Sequence, residues 1–157
     1  MRFILVSLFF LLSQGLRAEY VKPFKTDYCT FYPEGTLEKP NLWRDCCILH
    51  DLYMWAGGTE ADRLAADKSL QKCVSSVAGT GQGLLMYMGV RVGSYSPIKR
   101  VDHRWNNAWP LRPSYQALTN QDIILLEERL NEHRPEIGEK IKLIFLETLY
   151  GRQLNYD

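Results

Sequence analysis

The spacing of hydrophobic and polar positions predicts two helices in the first half of the chain. Asn41 can cap a helix that continues without a breaker to a pair of glycines at 57–58, which is roughly four helical turns. Thr59 and Asp62 then form a capping box, in which each side chain accepts a hydrogen bond from the other residue's backbone N–H, and open a second helix that runs to about Val77. Because the connector between them is short, we expect the two helices to pack as an antiparallel pair.

The second half of the chain predicts two further helices. Thr119 and Asp122 form another capping box, which opens a helix that runs to about residue 133. A last helix carries an apolar stripe at helical spacing and can be closed by Gly151. Residues 84–95 are also apolar, but this stretch is too short for periodicity to decide between helix and strand. The stripe of the last helix consists of Ile137, Ile141, Ile144 or Phe145, and Leu149.

The amino terminus has the organisation of a secretory signal peptide. A cationic start at Arg2 precedes an almost unbroken apolar run over residues 3–12, and residues 13–18 are smaller and more polar. The apolar run is about half of the ~20 residues that a membrane-spanning helix needs, so cleavage is favoured over a retained anchor. We therefore expect residues 1–18 to be removed from a protein that is secreted or periplasmic.

Length and charge limit what the remaining chain can be. The 157 residues, of which 46% are hydrophobic and 24% charged, suit one globular domain over residues 19–157. The whole chain has 19 basic and 18 acidic side chains, and removal of Arg2 and Arg17 with the signal peptide leaves 17 and 18, a net charge of −1. Because nucleic-acid binding depends on an excess of basic side chains, we expect no nucleic-acid partner.

Four cysteines in an exported protein favour two disulfide bonds. Cys46 and Cys47 are adjacent in the first helix and cannot readily bond each other, which leaves two of the three possible pairings. In the antiparallel pair Cys46 faces Cys73, and a bridge between them would leave Cys47 to hold the preceding loop through Cys29. A zinc site of Cys46, Cys47, Cys73 and His50 is the alternative, which the oxidising compartment disfavours.

The same hairpin geometry brings His50 opposite Asp67 on the second helix. A carboxylate that fixes one tautomer of an imidazole leaves the other ring nitrogen free to take a proton from water, which makes His50 a candidate general base. Asp51 follows at about 100° around the helix and could hold a hard cation together with backbone carbonyls of the Cys29 loop. Asp62 competes with Asp67 as the partner of His50, but it lies nearly one turn away and suits the capping role better.

These motifs together resemble the secreted phospholipase A2 family. The match covers residues 27–73: an upstream Tyr-Cys, then C-C-x-x-H-D on the first helix and D-x-x-x-x-x-C on the second. The resemblance implies that His50 is the catalytic base, that Asp51 binds calcium and that Asp67 orients His50. It implies a mainly α fold of two antiparallel, disulfide-linked helices, here with a C-terminal helical extension. The two bridges of the family correspond to Cys29 with Cys47 and Cys46 with Cys73.

The function that the resemblance implies is lipid degradation by a calcium-dependent hydrolase, which cleaves the sn-2 acyl ester of glycerophospholipids at a membrane surface. The chain departs from the family at Thr30 and Tyr32, which stand where the family's calcium loop has glycines, and at Met54, which stands where a tyrosine supports the orienting carboxylate. Tyr53 or Tyr87 could replace that tyrosine. The altered loop supports an alternative function, a catalytically inactive phospholipase A2-like module that binds a membrane or a protein.

One more segment bears on membrane binding. Residues 96–113 predict irregular chain, and within them Lys99, Arg100, Arg104 and Arg112 accompany the indoles of Trp105 and Trp109. A basic, tryptophan-bearing segment suits an anionic phospholipid surface. The favoured alternative is that both indoles pack this connector onto the core.

Overall fold

The computed structural model describes residues 20–93, 104–133 and 137–153, and these residues form five α-helices and no β-strand. The predicted mainly α fold is therefore confirmed. The predicted signal peptide, residues 1–18, lies outside the described ranges. Inside them, none of the helices combines the length and the apolar character that crossing a bilayer requires. The helices are α1 (Arg44–Ala56), α2 (Glu60–Ala78), α3 (Thr80–Gly93), α4 (Asn120–His133) and α5 (Glu139–Gln153).

The predicted helix pair is formed by α1 and α2. The capping box is present, since the Thr59 N–H donates to the Asp62 carboxylate at 2.8 Å and the Asp62 N–H donates to the Thr59 hydroxyl at 3.2 Å. At Gly57 the backbone has φ 81°, and a Cβ there would lie 2.8 Å from the Asn106 Cα. Because a side chain suits neither that conformation nor that space, glycine permits the tight return from α1 to α2.

Helix α1 begins later than the sequence predicts. Its N-cap is Trp43, without a side-chain cap, so the prediction of Asn41 as the cap was wrong. The Trp43 backbone N–H donates to the Glu34 carbonyl at 3.0 Å, and the Trp43 indole N–H donates to the Pro33 carbonyl at 2.6 Å. These bonds to the preceding loop hold Trp43 outside the helix, and the helix starts at Arg44.

The apolar stretch after α2 is helical. Helix α3 follows α2 after the single residue Gly79 and runs back along it. The question of helix or strand is thereby answered for residues 84–93, while residues 94 and 95 lie outside the described part of the chain. Of the large apolar side chains on α3, Met86 is buried, whereas Leu84, Leu85, Met88 and Val92 are exposed.

The C-terminal helices complete the main core. The second capping box is present, with Thr119 N–H to Asp122 carboxylate at 2.7 Å and Asp122 N–H to Thr119 hydroxyl at 3.2 Å. Within the stripe of α5, Phe145 is fully buried whereas Ile144 is 39% exposed, so Phe145 is the core residue. Every helix except α3 contributes buried apolar side chains to the main core. Among them are Leu52 and Trp55 of α1, Ala66 of α2, Leu126 of α4, and Phe145 and Leu149 of α5.

Helix α5 does not end at Gly151. It continues to Gln153, so the prediction of Gly151 as the closing residue was wrong. The Arg152 guanidinium lies 3.4 Å from the Asp62 carboxylate and 5.1 Å from the Tyr53 ring centroid. These contacts with α1 and α2 favour continuation of the helix past the glycine.

The tryptophans of the connector are buried in the fold. The indole N–H of Trp105 donates to the Gly58 carbonyl at 3.0 Å, and that of Trp109 donates to the Ala56 carbonyl at 2.9 Å. Arg112 stacks on the Trp109 ring, with 3.7 Å between the guanidinium carbon and the ring centroid. The packing alternative is confirmed for both indoles, which are therefore not available as membrane anchors. Lys99 and Arg100 of the same segment lie outside the described residues.

Candidate active site

Two disulfide bonds clamp the first two helices and the preceding loop. Cys29 is bonded to Cys47 and Cys46 to Cys73, with Cα–Cα distances of 5.1 and 5.6 Å. The favoured pairing is confirmed. Because all four thiols are consumed, the alternative zinc site is contradicted. The Cys46–Cys73 bridge also fixes the register of α1 against α2 one turn before His50.

His50 and Asp67 meet across the two clamped helices. The His50 Nε2 lies 2.8 Å from the Asp67 Oδ1, and both residues are buried. A carboxylate accepts only hydrogen bonds when it is ionised, so it selects the tautomer in which Nε2 carries the proton and Nδ1 is the acceptor. About a tenth of the His50 side chain remains accessible. The geometry is that of an imidazole whose second nitrogen can receive a proton.

A third residue, which the sequence did not indicate as part of this site, binds the other oxygen of Asp67. The Arg91 Nη1 donates to the Asp67 Oδ2 at 2.9 Å. Arg91 lies on α3, the segment whose secondary structure the sequence left open. The only available signal was a single cationic side chain in an otherwise apolar stretch, residues 84–92.

The electrostatics of Asp67 follow from these two partners. Burial by itself raises the pKa of the Asp67 carboxyl, but the hydrogen bonds and charges of His50 and Arg91 outweigh it and hold the pKa below its ordinary value. Asp67 is therefore ionised at neutral pH although it is only 1% exposed. Burial of an ionised carboxylate is unfavourable unless the charge is paired and hydrogen-bonded, and at Asp67 both His50 and Arg91 meet that need.

Asp51 has a different environment from Asp67. It is partly buried, and its Oδ2 accepts a hydrogen bond from the Thr26 hydroxyl at 2.6 Å. Burial raises the pKa of the Asp51 carboxyl to about 7, against the lowering effects of the Thr26 hydroxyl and the His50 ring, and the nearby Asp27 raises it further. The carboxyl is thus partly protonated at neutral pH.

The loop beside Asp51 has an unusual backbone. Tyr28, Thr30 and Phe31 all have positive φ, at 63°, 32° and 54°. Residues with a Cβ seldom adopt this left-handed region, so the loop is strained where the sequence lacks glycine. The Cys29–Cys47 bridge holds the loop in this shape next to α1.

The oxygen atoms around Asp51 fit a hard cation only in part. Carboxylate and hydroxyl oxygens of Asp51, Asp27 and Thr26 are of the kind that calcium prefers, and Asp51 makes no salt bridge within the described residues. Over the same residues no three His, Cys, Asp or Glu side chains form a metal-binding group. A cation here would therefore take most of its ligands from backbone carbonyls and water.

The other residues singled out by the sequence have structural roles. The Tyr53 hydroxyl donates to the Thr148 hydroxyl at 3.0 Å, so Tyr53 does not support Asp67. Asp62 caps α2, as its spacing suggested, and does not compete for His50. Tyr87 lies on α3 and has no hydrogen bond to Asp67, whose second oxygen is bound by Arg91.

A comparison with known proteins finds no matching family model, no similar curated protein and no similar solved structure. The likeness to the phospholipase A2 family is thus carried by the motif residues alone.

Proposed function

We propose that this protein is an exported, phospholipase A2-like carboxylic ester hydrolase that releases the sn-2 acyl chain of glycerophospholipids. The single observation that supports this most strongly is the buried hydrogen bond between His50 and Asp67, clamped by two disulfides, with Asp51 next in sequence. The resemblance of residues 27–73 to that family supplies the substrate class.

In the proposed reaction His50 is the general base. Its Nε2–H donates to Asp67, and its Nδ1 accepts a proton from a water molecule as that water attacks the ester carbonyl carbon. The positive charge that His50 then gains is stabilised by the ionised Asp67. When the ester C–O bond breaks, His50 returns the proton to the leaving alkoxide, which completes the proton balance.

Asp51 would hold calcium in this mechanism, together with oxygen atoms of the adjacent loop. When bound, the cation supplies a positive charge that polarises the substrate carbonyl and stabilises the developing oxyanion.

Fatty-acid release from phospholipid vesicles tests the proposal. The purified, oxidised protein should release a labelled sn-2 chain but not a labelled sn-1 chain, in millimolar calcium and not in excess chelator. His50→Gln should abolish release with an unchanged circular dichroism spectrum. Asp45→Asn, a change at an exposed position of the same helix, should leave release intact. Release by His50→Gln at the wild-type rate would refute the proposed base.

A second candidate is a catalytically inactive relative that binds a membrane or a protein. The observation that favours it is the loop of positive-φ residues without glycine, beside a carboxyl that is partly protonated at neutral pH. Vesicle co-sedimentation without fatty-acid release, unaffected by His50→Gln, would support this candidate.

Export remains part of the proposal. The two disulfides fit an oxidising compartment such as the periplasm or the extracellular space. Mass spectrometry of the exported protein should find a mature amino terminus close to residue 19.

A further inference from the structure

Each oxygen of the Asp67 carboxylate has its own partner on a different helix. Oδ1 faces His50 on α1, and Oδ2 faces Arg91 on α3, at 2.8 and 2.9 Å. A carboxylate held by one hydrogen bond can still turn about its Cβ–Cγ bond, because that torsion is broad. A second bond on the other oxygen removes this freedom and fixes the plane of the group.

The position of Arg91 is set by the packing of α3 on α2, independently of the ion pair. A Cβ at Gly83 would lie 2.1 Å from the Ser75 Oγ, so the two helices approach very closely there. Ser75 and Asp67 are eight residues apart on α2, and Gly83 and Arg91 are eight residues apart on α3. An antiparallel pair in contact at Gly83 therefore brings Arg91 alongside Asp67.

Arg91 also has the right exposure for this role. About a third of its side chain is accessible, whereas 2% of the Asp67 side chain is. The contact is a single one, from Nη1 to Oδ2, and the planar guanidinium fixes the direction of that N–H, whereas the ammonium of lysine can rotate.

We propose that Arg91 is a positioning residue of the site: it holds the plane of the Asp67 carboxylate so that Oδ1 stays directed at His50. This inference rests on the proposed function for its kinetic consequences only. Arg91 does not touch the reacting atoms and acts through Asp67 and then His50.

The kinetic test compares Arg91→Met with Arg91→Lys and with the matched control Arg129→Met, which removes a surface pair with Glu132 on α4. Arg91→Met should lower kcat roughly 10- to 100-fold with KM little changed, since the base is misdirected while the substrate site is intact. Arg91→Lys should restore part of kcat, and Arg129→Met should behave as wild type.

The spectroscopic test needs no substrate. Nitrogen-15 spectra of labelled histidine, taken where the imidazole is neutral, should show His50 in the single Nε2–H tautomer in the wild type. A mixture of the two tautomers is expected in Arg91→Met, and a smaller admixture in Arg91→Lys. A merely structural arginine would leave this tautomer balance unchanged in a folded variant.

The outcomes separate the two proposals. If the wild type releases no fatty acid while Arg91→Met still mixes the tautomers, the proposed function fails and the positioning role stands. A folded Arg91→Met with wild-type kcat and a single tautomer would overturn the positioning role. If Arg91→Met does not fold, Arg91→Lys decides: intermediate values support the role, and values identical to wild type refute it.

Discussion

Replacement of Asp67 by asparagine tests the centre of the site without changing its shape. The carboxylate accepts hydrogen bonds from His50 and Arg91, both as charge-assisted contacts in a buried place. The amide that replaces it has one acceptor oxygen, so its NH₂ group must face one of the two donors. The loss of one such bond and the weakening of the other should lower the free energy of unfolding by about 3 kcal/mol.

This loss should be visible in thermal and chemical denaturation at pH 7. For a domain of this size, about 3 kcal/mol corresponds to a decrease in Tm of roughly 10 °C. Asp45→Asn, the same chemical change at an exposed position on α1, should change stability by a few tenths of a kcal/mol. A loss below about 1 kcal/mol for Asp67→Asn would refute the argument that two buried donors depend on this carboxylate.

The contribution of Asp67 to the free energy of unfolding should decrease as the pH falls. Because the pKa of Asp67 is lower in the folded protein than in the unfolded chain, ionised Asp67 stabilises the fold above the ordinary value of about 3.8. This contribution is lost as the pH falls through the lower folded value. The stability difference between wild type and Asp67→Asn should therefore be full at pH 7 and shrink below about pH 4. A difference that grows on acidification would contradict the assignment.

Three further predictions concern the metal, the clamp and the second half of the fold. Calcium should raise the Tm of the wild type and release protons, because the Asp51 carboxyl is partly protonated at neutral pH, and neither effect should occur in Asp51→Asn. Scanning calorimetry measures the Tm, and titration calorimetry in two buffers of different ionisation enthalpy measures the proton release. An equal Tm increase in the variant would exclude Asp51 as a ligand. Replacement of Cys46 and Cys73 by serine opens a bridge between residues 27 apart and should cost about 3–4 kcal/mol by the loop-entropy relation, measured by urea unfolding; an undiminished midpoint would show that helix packing alone holds the pair. Asp122 caps α4 and binds Arg112 at 2.6 Å; burial raises its pKa, but these hydrogen bonds outweigh burial and lower the pKa. Asp122→Asn should therefore destabilise the protein by about 2 kcal/mol at pH 7 and by less as the pH falls below about 4, and a pH-independent loss would argue against an ionised cap.

Predictions from local sequence motifs were correct where residues close together in the sequence make all the contacts that the predicted feature needs. Both capping boxes are formed by residues three apart, so no distant contact is needed to make them, and both are present. They were unreliable where a distant contact competes. Asn41 is not the N-cap of α1, because hydrogen bonds to the preceding loop hold Trp43 outside the helix. Gly151 does not end α5, because Arg152 contacts Asp62 on α2.

In the candidate site, too, the sequence predicted the contacts that depend on a short connector and missed the one that depends on distant packing. The encounter of His50 with Asp67 and the two cysteine pairings could be predicted because one short connector fixes which residues of α1 and α2 face each other. The second partner of Asp67 could not be predicted. Arg91 becomes its partner only through the packing of α3 on α2, and the sequence did not show whether that segment was helix or strand.

The sequence alone determined the helical pair, the capping box of α2 and the residues that face each other across a short turn, because these depend on spacing along one continuous piece of chain. Tertiary structure alone decided the positive φ angles of Tyr28, Thr30 and Phe31 and the contact of Arg91 with Asp67. Each of these depends on which surfaces of separate segments come together, and that choice is made by packing over the whole fold rather than by any local preference.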